Sequence, residues 1–172
     1  ELQEETKQYQ SLLNGFYREE MGRKLGLSIL DSEFSELTQE MLQLLQSQQL
    51  DYSNFFRDLA NNPSAMDCSI ELRSWLDRYL KLCDRESISH DERKKKMDAV
   101  NPKYILRNHL VQRALEMALK ESDFSEVTRL RILLENPFKD RPEIFKKYNI
   151  DADFYSQDTP QEFLGRQTSC SA

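Results

Sequence analysis

The sequence predicts an all-α protein, an irregular bundle of about six to eight helices with a mobile C-terminal tail. Leu occurs 24 times, whereas Val and Ile together occur ten times. Leu loses little rotamer freedom in a helix and β-branched residues lose more, so this bias favours helix. Gly and Pro are nine of the 172 residues, well below the roughly 12% usual for the pair, which leaves few breakers for a turn-rich β architecture. Apolar residues also return near every 3.6 positions over most of the chain. Nine Phe, seven Tyr and one Trp supply enough apolar surface to argue against disorder, and a chain near this length buries roughly 68–70% of its surface.

The first helix is predicted over 2–25, with Tyr9, Leu12, Leu13, Phe16, Tyr17 and Leu25 on one stripe. Gly26 is a left-handed stop, and Leu27 packs back on the last turn. Asp31 caps a second helix through Phe34, Leu37, Met41, Leu44 and Leu45. A short aromatic helix spans about Tyr52 to Ala60 and closes at Asn61-Asn62-Pro63. Ser64 with Asp67 forms a capping box before a helix over 66–84, whose stripe is Leu72, Trp75, Leu76, Tyr79 and Cys83.

Ser89 and Glu92 open a polar helix containing Arg93 to Lys96, a basic run read as a solvated face because Glu86, Asp91, Glu92 and Asp98 nearly balance it. Asn101-Pro102 starts a helix over 102–120, Asn as cap and Pro at the first helical position. That helix is apolar on more than one side and is predicted to be central and buried. Asp123 and Glu126 box a helix over 124–135 with Val127, Leu130 and Leu134 inside. A short helix near 142–148 and a turn at 160–164 complete one helical domain, 1–164. Residues 165–172 have little to bury and are predicted to be a flexible tail.

The balance of charge restricts the partners. A net charge of −6 disfavours general nucleic-acid binding, which needs a basic face. Residues 1–60 hold 11 acids and five bases, so the front of the chain carries the whole imbalance. No window approaches the ~20 apolar residues needed to cross a bilayer, and the first residues lack a signal-peptide plan. The chain starts without Met, as a processed chain or a piece of a longer one would. Cys68 and Cys83, placed on one helix about 22 Å apart, cannot pair with each other there. Without C-x-x-C, and with only His90 and His109, zinc-type ligand spacing is missing too. A reducing compartment is expected.

No catalytic or cofactor-binding residue is assigned within this chain, and no metal site. A Gly-rich phosphate loop, G-x-S-x-G, H-E-x-x-H and the kinase signatures are all missing from the sequence. Asp151, Asp153 and Asp158 lack the glycine and closing Glu of a calcium loop. His109 reads as a core histidine bonded to a neighbour, and His90 as a surface residue. Lys103, Tyr104, Arg107 and Asn108 stand out as a hydrophilic strip on an apolar helix, with Tyr104 above Asn108 and Lys103 above Arg107. Such a strip either ties the helix to another part of the protein or touches a ligand. Cys170, in Gln-Thr-Ser-Cys-Ser-Ala, is either incidental or a thiol open to disulfide exchange.

The run NPKYILRNHLVQRALEMALKESDFSEVTRLRILLENPF, from Asn101 to Phe138, resembles the C-terminal region of the selenoprotein O (YdiU-type) family. So do KLGL at 24–27, DYSNFFRDL at 51–59, W-x-x-x-Y at 75–79 and the cysteine near the end. Members of that family have a kinase-like core that transfers AMP from ATP to protein hydroxyls. The resemblance implies that this chain is the helical C-terminal portion of such an adenylyltransferase. The catalytic residues, ATP and Mg (or Mn) would then belong to a core upstream, and this portion alone would be inactive. It also implies that Cys170 is a regulatory thiol pairing with a cysteine of that core, although Ala172 stands where the family has Ser.

The implied partners are the chain's own kinase-like core, with Lys103, Tyr104, Arg107 and Asn108 as contacts, and the protein substrates of the whole enzyme. Neither nucleic acid nor membrane is expected. The compartment would be the cytoplasm in a bacterium or the mitochondrion in a eukaryote. The competing reading is a stand-alone helical interaction module whose acidic first 60 residues bind a basic partner.

Overall fold

A computed structural model describes residues 2–66 and 69–163, with the backbone alone for residues 2–4. The described residues form nine α-helices and no strand. Two compact units result, one running to Asn101 and the other starting at Pro102.

The first unit holds α1 (Leu2–Leu25), α2 (Ser32–Ser47), α3 (Tyr52–Asn61), α4 (Ile70–Asp84) and α5 (His90–Val100). Two of its caps, Asp31 and Ser89, are those the sequence specifies. The Asp31 carboxylate accepts from Phe34 N–H at 3.0 Å, and Ser89 Oγ accepts from Glu92 N–H at 3.2 Å. Asp51 caps α3 through the N–H groups of Ser53 and Asn54. Asp67 of the box expected with Ser64 lies outside the described residues, and the helix expected over 66–84 starts later, at Ile70. Residues 63–65 make a 3₁₀ turn, and α4 is capped by Ser69, whose Oγ accepts from Leu72 N–H at 3.1 Å. Starting there leaves Pro63 room to fold back and become buried.

Trp75 is at the centre of the core, with no exposed surface. Its indole N–H donates to Leu37 O at 2.8 Å, which ties α4 to α2. Its ring stacks on Tyr79, with centroids 5.5 Å apart and 6° between planes, and Phe55 meets it edge-on. Tyr79 OH in turn donates to Leu25 O at 2.9 Å. A buried aromatic with a satisfied polar tip anchors both packing and orientation.

The turn after α1 matches the expectation. Gly26 has φ +66°, Leu27 N–H returns to Gly22 O at 2.9 Å, and Leu27 is buried. A Cβ on Gly26 would lie 2.5 Å from Arg93 Cγ and 2.9 Å from Met97 Cγ. Gly26→Ala therefore meets a left-handed backbone and a packed wall at once. The expected loss is about 2 kcal/mol or more, to be read from the midpoint of urea unfolding; an unchanged midpoint would show that this turn relaxes freely.

Arg93 departs from the solvated-face expectation. It is 7% exposed, and its guanidinium donates to Gly26 O at 3.1 Å and Cys83 O at 2.9 Å, with Glu86 at 3.5 Å. One arginine of the basic run thus satisfies carbonyls at the ends of two helices, where backbone acceptors have no partner within the helix. Lys95 and Lys96 are exposed as expected.

The first half of α1 also departs from expectation. Residues 5–20 are exposed throughout, including Tyr9, Leu12, Leu13, Phe16 and Tyr17; among the residues of the helix whose side chains are described, the large apolar ones that enter the core are Met21 and Leu25. Periodicity identified an apolar face but could not show whether anything in this chain covers it.

The second unit holds α6 (Asn108–Glu121), α7 (Ser125–Glu135), α8 (Pro142–Tyr148) and α9 (Ala152–Ser156). Its core gathers Tyr104, Leu110, Ala114, Leu130, Ile132, Leu133, Phe145, Ile150 and Tyr155. Two expectations change. Helix α6 begins at Asn108, not Pro102, and it is not a buried central helix: Leu110 and Ala114 are buried, whereas Leu115 and Leu119 are exposed. In α7 the buried face is Glu126, Leu130, Ile132 and Leu133, while Val127 is exposed and Leu134 half-buried. The buried carboxylate of Glu126 sets that rotation, as described next.

Candidate functional site

The hydrophilic strip nominated by the sequence lies where the fold abandons helix. Pro102 to Arg107 run without helical structure, because Lys103 and Tyr104 both give their backbone N–H to Pro137 O, at 2.7 and 3.0 Å. The 102–107 segment is thereby strapped to the Asn136-Pro137 turn. Asn101 does not cap α6 either. It ends α5 in the first unit, with its side chain accepting from Lys24 Nζ and donating to Lys24 O, each at 2.9 Å.

Of the four strip residues, Lys103 and Tyr104 converge on one partner. Lys103 Nζ lies 2.8 and 2.9 Å from the Asp140 carboxylate oxygens, and Tyr104 OH donates to the same carboxylate. The Tyr104 ring is buried, edge-on to Phe145 at 5.9 Å. Arg107 is buried and donates to Thr159 Oγ1 at 3.3 Å, and its carbonyl accepts from Leu110 and Val111 at the start of α6. Asn108 is exposed. The helix-face pairing of Tyr104 with Asn108 and of Lys103 with Arg107 is therefore absent.

A second polar cluster was not foreseen. Glu126 has no exposed surface. Tyr155 OH donates to its carboxylate, 3.0 Å from each oxygen. Arg129 Nη1 lies 3.0 Å away and Arg113 Nε 3.5 Å away. Burial first, and then the bond to Glu126, push the Tyr155 hydroxyl up to about 12. The sequence signal for this cluster is the i, i+3 pair Glu126/Arg129, which overlaps the Asp123/Glu126 spacing of a capping box.

His109 is half-buried, with its ring 5.6 Å from that of Phe163. Its Nδ1 is buried without a hydrogen bond, so the neighbour expected for it is not found. Burial, and then the nearby Arg107 charge, lower its pKa. The neutral form is thus favoured in the fold, and protonation costs stability as pH falls through and below the ordinary histidine range near 6.5. The unfolding midpoint is expected to fall more between pH 7.5 and 5.5 than in His109→Gln; identical slopes for the two proteins would remove this role.

A pocket of about 300 Å³ in the first unit brings Cys83 near Tyr79, Glu86, His90 and Arg93. Burial raises the Cys83 thiol above its ordinary range, which keeps it protonated and a poor nucleophile. Cys68 and Cys170 lie outside the described residues, so the structure places neither. Asp151 is engaged as the cap of α9, accepting from Asp153 and Phe154 N–H. Among the described residues, no three His, Cys, Asp or Glu side chains are grouped to hold a metal ion, and no helix is long and apolar enough to cross a membrane.

These observations describe an all-helical module whose distinctive residues act as joints. Lys24 of KLGL and Arg57 of DYSNFFRDL both meet Asn101 of the NP run, with Arg57 Nη1 3.1 Å from Asn101 O, while Trp75 and Tyr79 belong to the core of the same unit. Comparison with known proteins gives the module its family. The family described as "Protein adenylyltransferase SelO" matches residues 1–135, and this chain belongs to it. It is similar to the protein nucleotidyltransferase YdiU of Aliivibrio salmonicida, 33% identical over 180 residues that take in all of this chain and 35% of the relative. The protein of the same name from Pseudomonas putida strain GB-1 is 38% identical over 150 residues, 82% of this chain and 31% of its own. The Vibrio atlanticus protein is 36% identical over 83% of this chain and 31% of its own length. The chain thus spans about a third of the length of the curated relatives it matches.

Proposed function

We propose that this chain is the helical C-terminal portion of a protein adenylyltransferase, steadying a kinase-like core that moves AMP from ATP to hydroxyl groups of proteins. The observation that carries the reading is similarity, over the whole of this chain, to 35% of a protein nucleotidyltransferase. ATP and its metal ion are assigned in this reading to the part of the enzyme outside this chain; within it, Asp151 is committed to capping α9. What this chain contributes is a set of rigid joints, with Lys103, Tyr104 and Arg107 held in place by Asp140 and Thr159.

The test compares the 172-residue chain with a longer protein that includes it, using labelled ATP and a protein acceptor. The longer protein is expected to label the acceptor and the chain alone is not; labelling by the chain alone would overturn the reading. Cys170 would act as the regulatory thiol, reacting by thiol–disulfide exchange with a cysteine of the core. Activity of the longer protein should respond to a thiol reductant, and Cys170→Ser should abolish the response. An unchanged response in that variant would remove Cys170 from regulation.

A further inference from the structure

We infer that the exposed ridge of α1, formed by Tyr9, Leu12, Leu13, Phe16 and Tyr17, is the seat for an apolar, basic-rimmed groove in the remainder of the longer polypeptide. The inference rests on the reading above, in which this chain is one portion of a larger enzyme.

Sixteen consecutive residues of α1, 5–20, are exposed. A helix of that length without tertiary cover is only marginally stable in water, because propensity alone barely repays nucleation. This stretch places large apolar residues at i, i+3, i+4, i+7 and i+8, the spacing by which an amphipathic helix anchors in a groove. Their exposures run from 49% at Tyr17 to 67% at Tyr9, so the ridge is not the margin of a buried face. Contiguous apolar surface on such a scale marks an interaction site. Further along α1, Met21 and Leu25 are locked in the core, and Tyr79 holds Leu25 O. The ridge is therefore presented on a fixed base, and it runs into a groove of about 340 Å³ lined by Tyr17, Met21, Phe34 and Leu42.

Two observations decide the occupant. A second copy would bring one acidic segment against another, since residues 1–60 hold 11 acids and five bases, and juxtaposed like charge opposes association. The relatives, by contrast, carry about two thirds of their length outside the matched part, which is ample surface to cover the ridge. The acidic surroundings then call for a basic rim on the covering groove.

The experiment is backbone hydrogen exchange over residues 5–20, in the 172-residue chain and in the longer protein that contains it. Exchange in the longer protein is expected to be slower by at least about 100-fold, and Leu12→Glu with Phe16→Glu should return it to the rate in the chain alone. Both side chains are exposed, so helix content measured by circular dichroism should stay unchanged. Equal exchange in the two proteins, while the longer one still transfers nucleotide, would overturn the docking and leave the functional reading standing. Protection without any transfer would support the docking and count against that reading. A dimer of the chain alone that protects residues 5–20, with no added protection in the longer protein, would identify a second copy as the occupant and overturn the inference.

Discussion

Trp75→Ala is expected to destabilise the first unit by about 3–5 kcal/mol, the range for emptying a fully buried large aromatic site. Three losses combine. The indole body leaves a cavity at the centre of the core, the stacking on Tyr79 disappears, and Leu37 O loses the N–H that reaches it at 2.8 Å. For a unit of roughly this size the thermal midpoint should fall by about 12 °C or more, measured by circular dichroism at 222 nm. Trp75→Phe retains most of the apolar body and gives up the donor, so it should cost less than the Ala variant. A midpoint within 3 °C of the parent for Trp75→Ala would mean that the core closes around the gap and that Trp75 is not its anchor.

Glu126→Ala should act as strongly on the second unit, again by about 3–5 kcal/mol, because removing one member of a buried charged cluster leaves its partners without compensation. Arg129, Arg113 and the Tyr155 hydroxyl all turn toward the Glu126 carboxylate. Glu126→Gln keeps the shape and an acceptor for Tyr155 while losing the charge, and it should retain part of the stability. The same variants report on Tyr155. Its hydroxyl, held at about 12, should titrate lower in Glu126→Ala, although burial, the larger cause, keeps it above the ordinary tyrosine range. Ultraviolet titration of tyrosinate reads this directly. An unshifted tyrosine titration together with unchanged stability would show that the cluster contributes little.

Much of the architecture follows from local rules. The caps at Asp31 and Ser89, the left-handed stop at Gly26 and the stripe through Leu72, Trp75, Leu76 and Tyr79 all occur as the sequence predicts. Each depends on interactions within a few residues, or on one periodicity, and so can be read from the chain in order. The site was less legible. Lys103, Tyr104 and Arg107 stand out in the sequence as a hydrophilic strip, but they lie on an extended strap and not on a helix face. Pro102 suits the first turn of a helix as well as it suits an extended strap, and the deciding acceptor, Pro137 O, lies more than thirty positions further along.

The sequence by itself determined the all-helical class of this protein, the order of most of its helices and many of their boundaries, because those features are set by propensity, capping and periodicity acting over short range; its family is carried instead by particular motifs such as the Asn101–Phe138 run. Tertiary structure alone decided that Arg93 leaves a basic run to serve two buried carbonyls, that Glu126 turns inward to meet two arginines and a tyrosine, and that the apolar ridge of α1 remains uncovered. The physical reason is common to all three. Burying a charge, or leaving an apolar face in water, depends on partners brought from distant parts of the chain, and one-dimensional pattern does not say whether those partners arrive.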